Sequence, residues 1–240
     1  MDKNKPSPFI RGKIFLYQSE KGYRFNLDSV LLASFPKFQK KGKLIDLGTG
    51  NGILILLLSL KYKNLDFYAI EVQEEFYNLA KVNFKLNNVN VNLFKEDIKN
   101  IKKIFKPNSF DYVITNPPYF KEYKTENLQL KIARSEYLAT IEDFIKAGKY
   151  LLKDKGKFYM VSPVSRFSEI ILYLKENKLQ PKRYRFIYPS VNENATHFLL
   201  EAHKNAKEGG EIIEKPLIVY ENPKDKIYTE EVKFILEEFI

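Results

Sequence analysis

The chain has 240 residues, enough for one large domain or a domain with an appendage, and its 44% hydrophobic and 15% aromatic content is ample for a packed core. A formal charge of +10 points to a polyanionic partner, and the lack of cysteine excludes disulfides, cysteine-held zinc, iron–sulfur clusters and thiol catalysis. The two histidines, His197 and His203, are too few for a histidine metal site. The longest apolar stretch, residues 53–60, falls far short of the roughly 20 residues that cross a bilayer. Residues 1–5 are polar and unlike a signal peptide, so the expected setting is the cytoplasm, with no metal and no membrane partner.

Residues 8–24 read as short extended segments with a turn at Gly22. Asn26 or Asp28 is placed to cap a short helix over residues 29–35. Pro36 and the basic stretch 37–43 end that pattern. Strands then alternate with helices: strand 43–47, helix 53–62, strand 66–70, helix 74–86, strand 90–94 and a helical stretch over 98–105. Strand 110–115, helix 141–152, strand 156–162 and an amphipathic helix over 165–177 continue it. This order predicts an α/β fold, a doubly wound, mostly parallel, seven-stranded Rossmann-like sheet with an antiparallel C-terminal strand. Residues 1–42 are then an N-terminal extension packing on a main domain of residues 43–240. Segments 184–188 and 197–202 read as antiparallel strands, and 228–239 as a closing helix. Residues 121–135 are the least regular and read as a mobile lid.

The first strand of the alternating region runs into Gly48-Thr49-Gly50-Asn51-Gly52 and then a helix. Glycines permit a tight turn and close approach of backbone to ligand. The carboxyl end of a parallel strand is where such sheets bind ligands. The spacing is Gly-x-Gly-x-Gly, and Asp46 at the strand end repels a pyrophosphate while attracting an ammonium or an ordered water. A dinucleotide is disfavoured. S-adenosyl-L-methionine suits the site better, because it carries an amino acid group and a sulfonium cation but no phosphate. Glu71 ends the second strand, where a carboxylate can accept both ribose hydroxyls. Asp97 follows the third, where an adenine amino group would sit with Ile98 nearby.

After the fourth strand comes Asn116-Pro117-Pro118-Tyr119. Neither proline can donate a ladder hydrogen bond, so the strand stops, and Pro117 biases Asn116 toward an extended backbone. That stiffness can aim the Asn116 amide oxygen and the Pro117 carbonyl at one point beside Tyr119. Two acceptors and an aromatic face suit a planar group carrying an NH2: adenine, guanine or a glutamine side chain.

With these motifs in this order, the chain resembles the class I S-adenosylmethionine-dependent methyltransferases of the amino-methylating branch, and within it the bacterial valine-tRNA adenine-N6 methyltransferases. The likeness extends to Asn26-Leu27-Asp28-Ser29-Val30-Leu31-Leu32-Ala33 before the cofactor strand, Ala133-Arg134-Ser135-Glu136 after the catalytic loop and Tyr228-Thr229-Glu230-Glu231 near the end; Ser135 departs from the histidine of many relatives. The resemblance implies S-adenosyl-L-methionine held by Asn26, Asp28, Asp46, Gly48, Thr49, Gly50, Gly52, Glu71, Val72, Asp97, Ile98 and Asn116. It implies catalysis by Asn116, Pro117 and Tyr119, with Pro118, Tyr119, Phe120 and Arg134 at the substrate. The implied activity is N6-methylation of the adenine 3′ of the anticodon of a valine tRNA; a monomer is expected, though no motif carries that expectation.

Lys182, Arg183 and Arg185, interleaved with Tyr184 and Phe186, form a candidate RNA surface or a solvated strand edge. Other acceptors remain open: guanine N2 of ribosomal RNA, or glutamine N5 of a protein. The residues before position 43 look too short and extended for the recognition domain that glutamine methylation favours. A binding module without catalysis is disfavoured by the intact set of Asp46, Gly48, Gly50, Glu71 and Asn116.

Overall fold

The computed structural model describes residues 6–18, 27–39, 41–119, 136–237 and 239. Five strands are parallel: β3 (Gly42–Leu47), β4 (Leu65–Glu71), β5 (Val91–Lys95), β6 (Phe110–Thr115) and β7 (Leu152–Pro163). They alternate with helices α2 (Ile53–Lys61), α3 (Glu74–Leu86), α4 (Ile101–Ile104) and α5 (Ile141–Leu151). Helix α6 (Phe167–Glu176) leads to β8 (Leu179–Tyr188), and β9 (His197–Lys204) returns antiparallel between β7 and β8.

Two short strands, β10 (Ile212–Ile213) and β11 (Leu217–Ile218), pair parallel along the outer edge of β8. The sheet therefore has nine strands among the described residues, in the order β10-β8-β9-β7-β6-β3-β4-β5 with β11 also beside β8, rather than the seven expected. A two-residue strand is too short to leave an alternating signal, so sequence reading passes over it. A separate hairpin of β12 (Tyr220–Asn222) and β13 (Ile227–Tyr228) stacks the rings of Tyr220 and Tyr228 at 5.2 Å. That hairpin takes Tyr228 from the expected closing helix, which forms as α7 (Glu230–Glu237).

Side chains on successive strand residues point to opposite faces. Leu44, Tyr112, Ile114, Tyr159 and Leu199 join the core formed with α2 and with α1 (Leu27–Ser34). Ile45, Val113, Phe158, Met160 and Leu200 join the opposite core with α5 and α6. Both faces are covered, which explains the near-continuous apolar reading of the inner strands. Helix α2 is buried from Ile53 through Ser59, as its uniformly apolar sequence requires.

The hairpin of β1 (Ser7–Phe9) and β2 (Ile14–Leu16) is fastened to α3 by two asparagines. Asn83 accepts from Tyr17 N at 2.8 Å and donates to Tyr17 O at 3.0 Å; Asn87 does the same for Phe15 N and O, each at 2.8 Å. Residues four apart on a helix and two apart on a strand are both separated by roughly 6–7 Å, so the amides act as a substitute neighbouring strand. Asn83 also donates to Asn51 O at 3.0 Å, which links this end of the molecule to the glycine turn.

Candidate active site

From β3 the chain builds outward through β4 and β5, then returns to place β6 on the other side of β3. The carboxyl ends of β3 and β6 therefore flank the crevice where a doubly wound sheet changes direction. Pairing of Asp46 with Ile114 and the 2.8 Å hydrogen bond from Thr115 Oγ1 to Leu47 O set the glycine turn beside the Asn116-Pro117 turn.

Gly48, Gly50 and Gly52 all have positive φ, at 72°, 57° and 87°. The N–H groups of Gly48 and Thr49 both donate to Ile70 O at 3.0 Å, pinning the turn to the end of β4. A Cβ on Gly52 would lie 2.6 Å from the Phe84 ring, whereas one on Gly50 would meet nothing within 4 Å. Gly52 thus serves helix–turn packing, and Gly50 borders open space.

Asp46 shares strand parity with Leu44 and is fully buried. Neither of its carboxylate oxygens has a hydrogen-bond partner, nor do Thr49 Oγ1 and Asn51 Nδ2, among the described residues. Burial pushes the Asp46 carboxyl from 3.8 up to about 7. The nearby Thr49 hydroxyl opposes this without reaching good hydrogen-bond geometry, and the Glu71 carboxylate adds to it. A buried carboxylate left without a partner is costly, so the site is built to receive a cation or a donor.

Glu71 is also buried and raised by desolvation, against the hydrogen bonds from the N–H groups of Gln73, Gly50 and Val72. Its Oε2 accepts from Gly50 N and its Oε1 from Gln73 N, both at 2.9 Å. One carboxylate therefore holds the glycine turn onto the end of β4, and beside its three N–H donors it keeps room for a further one. Val72, an apolar residue 37% exposed, follows it. Asp97 caps the turn after β5 by accepting from Lys99 N at 2.9 Å, and Ile98 packs inward beside it.

At the end of β6, the Asn116 amide is oriented from both sides. Its Nδ2 donates to Ser29 Oγ of α1 at 3.1 Å, and its Oδ1 accepts from the Tyr119 hydroxyl. Pro117 is buried; Pro118 and Tyr119 are half-buried. The Tyr119 ring lies edge-on to His197, with centroids 5.7 Å apart. Arg166 Nη1 donates to Tyr119 O at 2.9 Å. Sequence reading missed Ser29 as an orienting group, although it lies in the quoted Asn26-to-Ala33 stretch, and it missed Arg166, which no local pattern marks.

The sheet thus brings together Asp46, Gly48, Thr49, Gly50, Gly52, Glu71, Val72, Asn116, Pro117, Pro118 and Tyr119, with Asp97 and Ile98 at the carboxyl end of the next strand. Asp28 lies in the first turn of α1, one residue before Ser29. Asn26, Phe120, Arg134 and the expected lid over 121–135 lie outside the described residues.

The three basic residues of β8 are engaged within the protein. Arg183 is stacked on Phe35 at 3.8 Å and donates to Glu201, Glu214 and Phe35 O. Burial raises the Glu201 carboxyl, but hydrogen bonds from His203 and Arg183 outweigh it and hold Glu201 at about 2. Lys182 Nζ donates to Lys207 O at 2.6 Å and to Gly209 O; Arg185 bonds to Lys215 O at 3.1 Å and Glu231 at 2.6 Å. These contacts fasten the C-terminal segments to β8. The Arg183 side chain is 12% exposed and bonded to these partners, which leaves it little surface to offer RNA. Among the described residues, no group of three acidic or histidine side chains is suited to a metal ion.

Several solved structures share this fold. A predicted O-methyltransferase from Agrobacterium tumefaciens superposes with a TM-score of 0.70 at 19% identity, over 88% of this chain and 96% of that one. A methyltransferase from Pyrococcus furiosus gives 0.60 at 22% identity, over 80% and 90%. Among curated relatives, the tRNA1(Val) (adenine(37)-N6)-methyltransferase of Flavobacterium johnsoniae is 27% identical over 92% of this chain and 94% of its own. The protein of the same description from Bacteroides thetaiotaomicron is 30% identical over 65% and 67%. Residues 26–176 match the model of the methyltransferase small domain, which includes the glycine turn, both strand-end acids and the Asn-Pro-Pro-Tyr turn, and the chain belongs to that methyltransferase family.

Proposed function

We propose that this protein transfers a methyl group from S-adenosyl-L-methionine to the exocyclic N6 of an adenine in tRNA, at the position 3′ of the anticodon in a valine tRNA. One observation carries the reading: a stiff Asn-Pro-Pro-Tyr turn stands beside a buried carboxylate that has no partner. The unpartnered oxygens of Asp46 and the open space at Gly50 fit a donor that is cationic and carries no phosphate. Asp46 would face its charged amino acid part, the Glu71 carboxylate would take the ribose hydroxyl side, and Val72 and Ile98 would flank its adenine. When bound, the cofactor supplies an electrophilic methyl group on sulfur.

The rest of the chemistry belongs to the chain. An adenine amino nitrogen is a poor nucleophile because its lone pair is delocalised into the ring. Asn116 Oδ1 and the Pro117 carbonyl would accept its two hydrogens, so the lone pair localises and points toward the methyl donor. Ser29 keeps the amide in the orientation that presents oxygen outward. The substrate amine would replace the Tyr119 hydroxyl at Asn116 Oδ1, leaving the Tyr119 ring to stack on the base. Catalysis is then mainly positioning and polarisation, and the proton leaves once the nitrogen has become cationic. A base in an anticodon loop reaches such a pocket at lower cost than one in a duplex. The +10 charge favours that partner, and a tRNA substrate in turn implies a cytoplasmic setting.

The test is incubation of the protein with total tRNA and methyl-labelled S-adenosyl-L-methionine, followed by nucleoside analysis. Label in N6-methyladenosine is the expected result. Label in N2-methylguanosine, or in protein, would overturn the choice of acceptor.

A further inference from the structure

Pro117 and Pro118 have no N–H, so the turn that must aim Asn116 is short of backbone donors to hold itself. The structure shows an external hold. Arg166, between β7 and α6, is 7% exposed and spreads its guanidinium over three partners. Nη1 donates to Tyr119 O at 2.9 Å, Nη2 to Glu136 Oε1 at 3.1 Å and Nε to Glu169 Oε2 at 2.6 Å. Both acidic partners are themselves fixed: Glu136 Oε1 also accepts from Ile141 N at 2.6 Å, at the start of α5, and Glu169 Oε1 from the Tyr173 hydroxyl at 3.1 Å. The guanidinium thus bonds the carbonyl of Tyr119 and ties it to α5 and α6. Burial works against its charge, but the hydrogen bonds it donates to Glu169 and Glu136 more than compensate.

We propose that Arg166 is a positioning residue for methyl transfer: through the Tyr119 carbonyl and Glu136 it fixes the Asn116–Tyr119 turn in the geometry that presents the acceptor amine. The proposal rests on the reading of that turn as the amine-orienting element. A planar fork with donors on three separate nitrogens does this, whereas the three donors of a lysine ammonium all radiate from one atom.

The test compares wild type with Arg166→Lys and Glu136→Gln on whichever acceptor the wild-type protein labels, so a wrong choice of nucleoside leaves the comparison intact. Arg166→Lys is expected to lower kcat about thirtyfold or more, within the range known for misplaced reacting groups. KM and the Kd for S-adenosyl-L-methionine should stay within about threefold. Glu136→Gln should lower kcat in the same direction, and the double variant little further, because both act on one turn. Amide hydrogen exchange gives a readout that needs no acceptor: at Asn116 and Tyr119 it should quicken in Arg166→Lys while residues 48–52 stay unchanged. If Arg166→Lys does not fold, Glu136→Gln carries both readouts. Wild-type kcat in the variant, an equal loss of cofactor affinity, or unchanged exchange at Asn116 and Tyr119 would each overturn the proposal.

Discussion

Asp46 concentrates the tension between stability and function in one side chain. Its folded pKa of about 7 lies above the ordinary 3.8, so ionisation destabilises the ligand-free fold. The sign follows from proton linkage: the folded state binds the proton more tightly, so stability is fullest below about pH 4 and falls as pH rises toward 7. The difference corresponds to roughly 4 kcal/mol, part of which an asparagine would give back through its own unpartnered amide. Asp46→Asn should therefore raise Tm at pH 8 by several degrees, and the gain should shrink toward pH 4.5; a constant difference across that range would contradict the account. Binding has the opposite dependence. A cation needs the ionised carboxylate, so S-adenosyl-L-methionine affinity should rise about tenfold between pH 6 and pH 8 and release a proton below pH 7. Calorimetry in buffers of different ionisation enthalpy reads that proton, and Asp46→Asn should abolish it.

At the scale of elements, the turn between β3 and α2 separates two uses of glycine. At Gly50 a side chain meets only the strain of positive φ, about 1–2 kcal/mol. At Gly52 it also meets the Phe84 ring. Gly50→Ala should keep most of the thermal stability and lose cofactor affinity by tenfold or more. Gly52→Ala should lose the fold first. Denaturation and calorimetry on the two variants distinguish these outcomes, and equal behaviour would refute the division. On β8 the same reasoning gives Arg183 to the fold. Arg183→Ala takes one cation from buried Glu201 while His203 at 2.6 Å and Lys157 at 3.3 Å remain, which costs about 1.5–3 kcal/mol. The variant should unfold early yet bind tRNA normally at low temperature, as gel shift would show.

Over the whole molecule, much was legible because the signals were local. Short apolar runs exposed the strands, the longer run from residue 53 exposed a helix, and the glycine and proline turns marked the two sides of the crevice. What escaped was non-local. Asn116 meets Ser29 across 87 positions, Tyr119 meets Arg166 across 47, and Arg183 meets Phe35 across 148. No periodicity reports such pairs, and a basic run on a strand looks the same whether its charges face solvent or carboxylates. With Arg183 committed inward, binding of tRNA should rest on charge spread over other surface lysines. Raising salt from 50 to 200 mM should then weaken it about a hundredfold, as for four or five phosphate contacts, and a salt-insensitive complex would contradict this.

The central claim is that the Asn116 amide orients the acceptor amine while the glycine turn and its acids hold the methyl donor. Single-turnover transfer by Asn116→Ala, at saturating tRNA and S-adenosyl-L-methionine, tests it most directly alongside the variant's cofactor Kd. The predicted result is a transfer rate lowered at least a hundredfold, roughly 3 kcal/mol of lost transition-state stabilisation, with cofactor affinity within about threefold of wild type. Wild-type transfer, or a loss explained by weaker cofactor binding alone, would contradict the account.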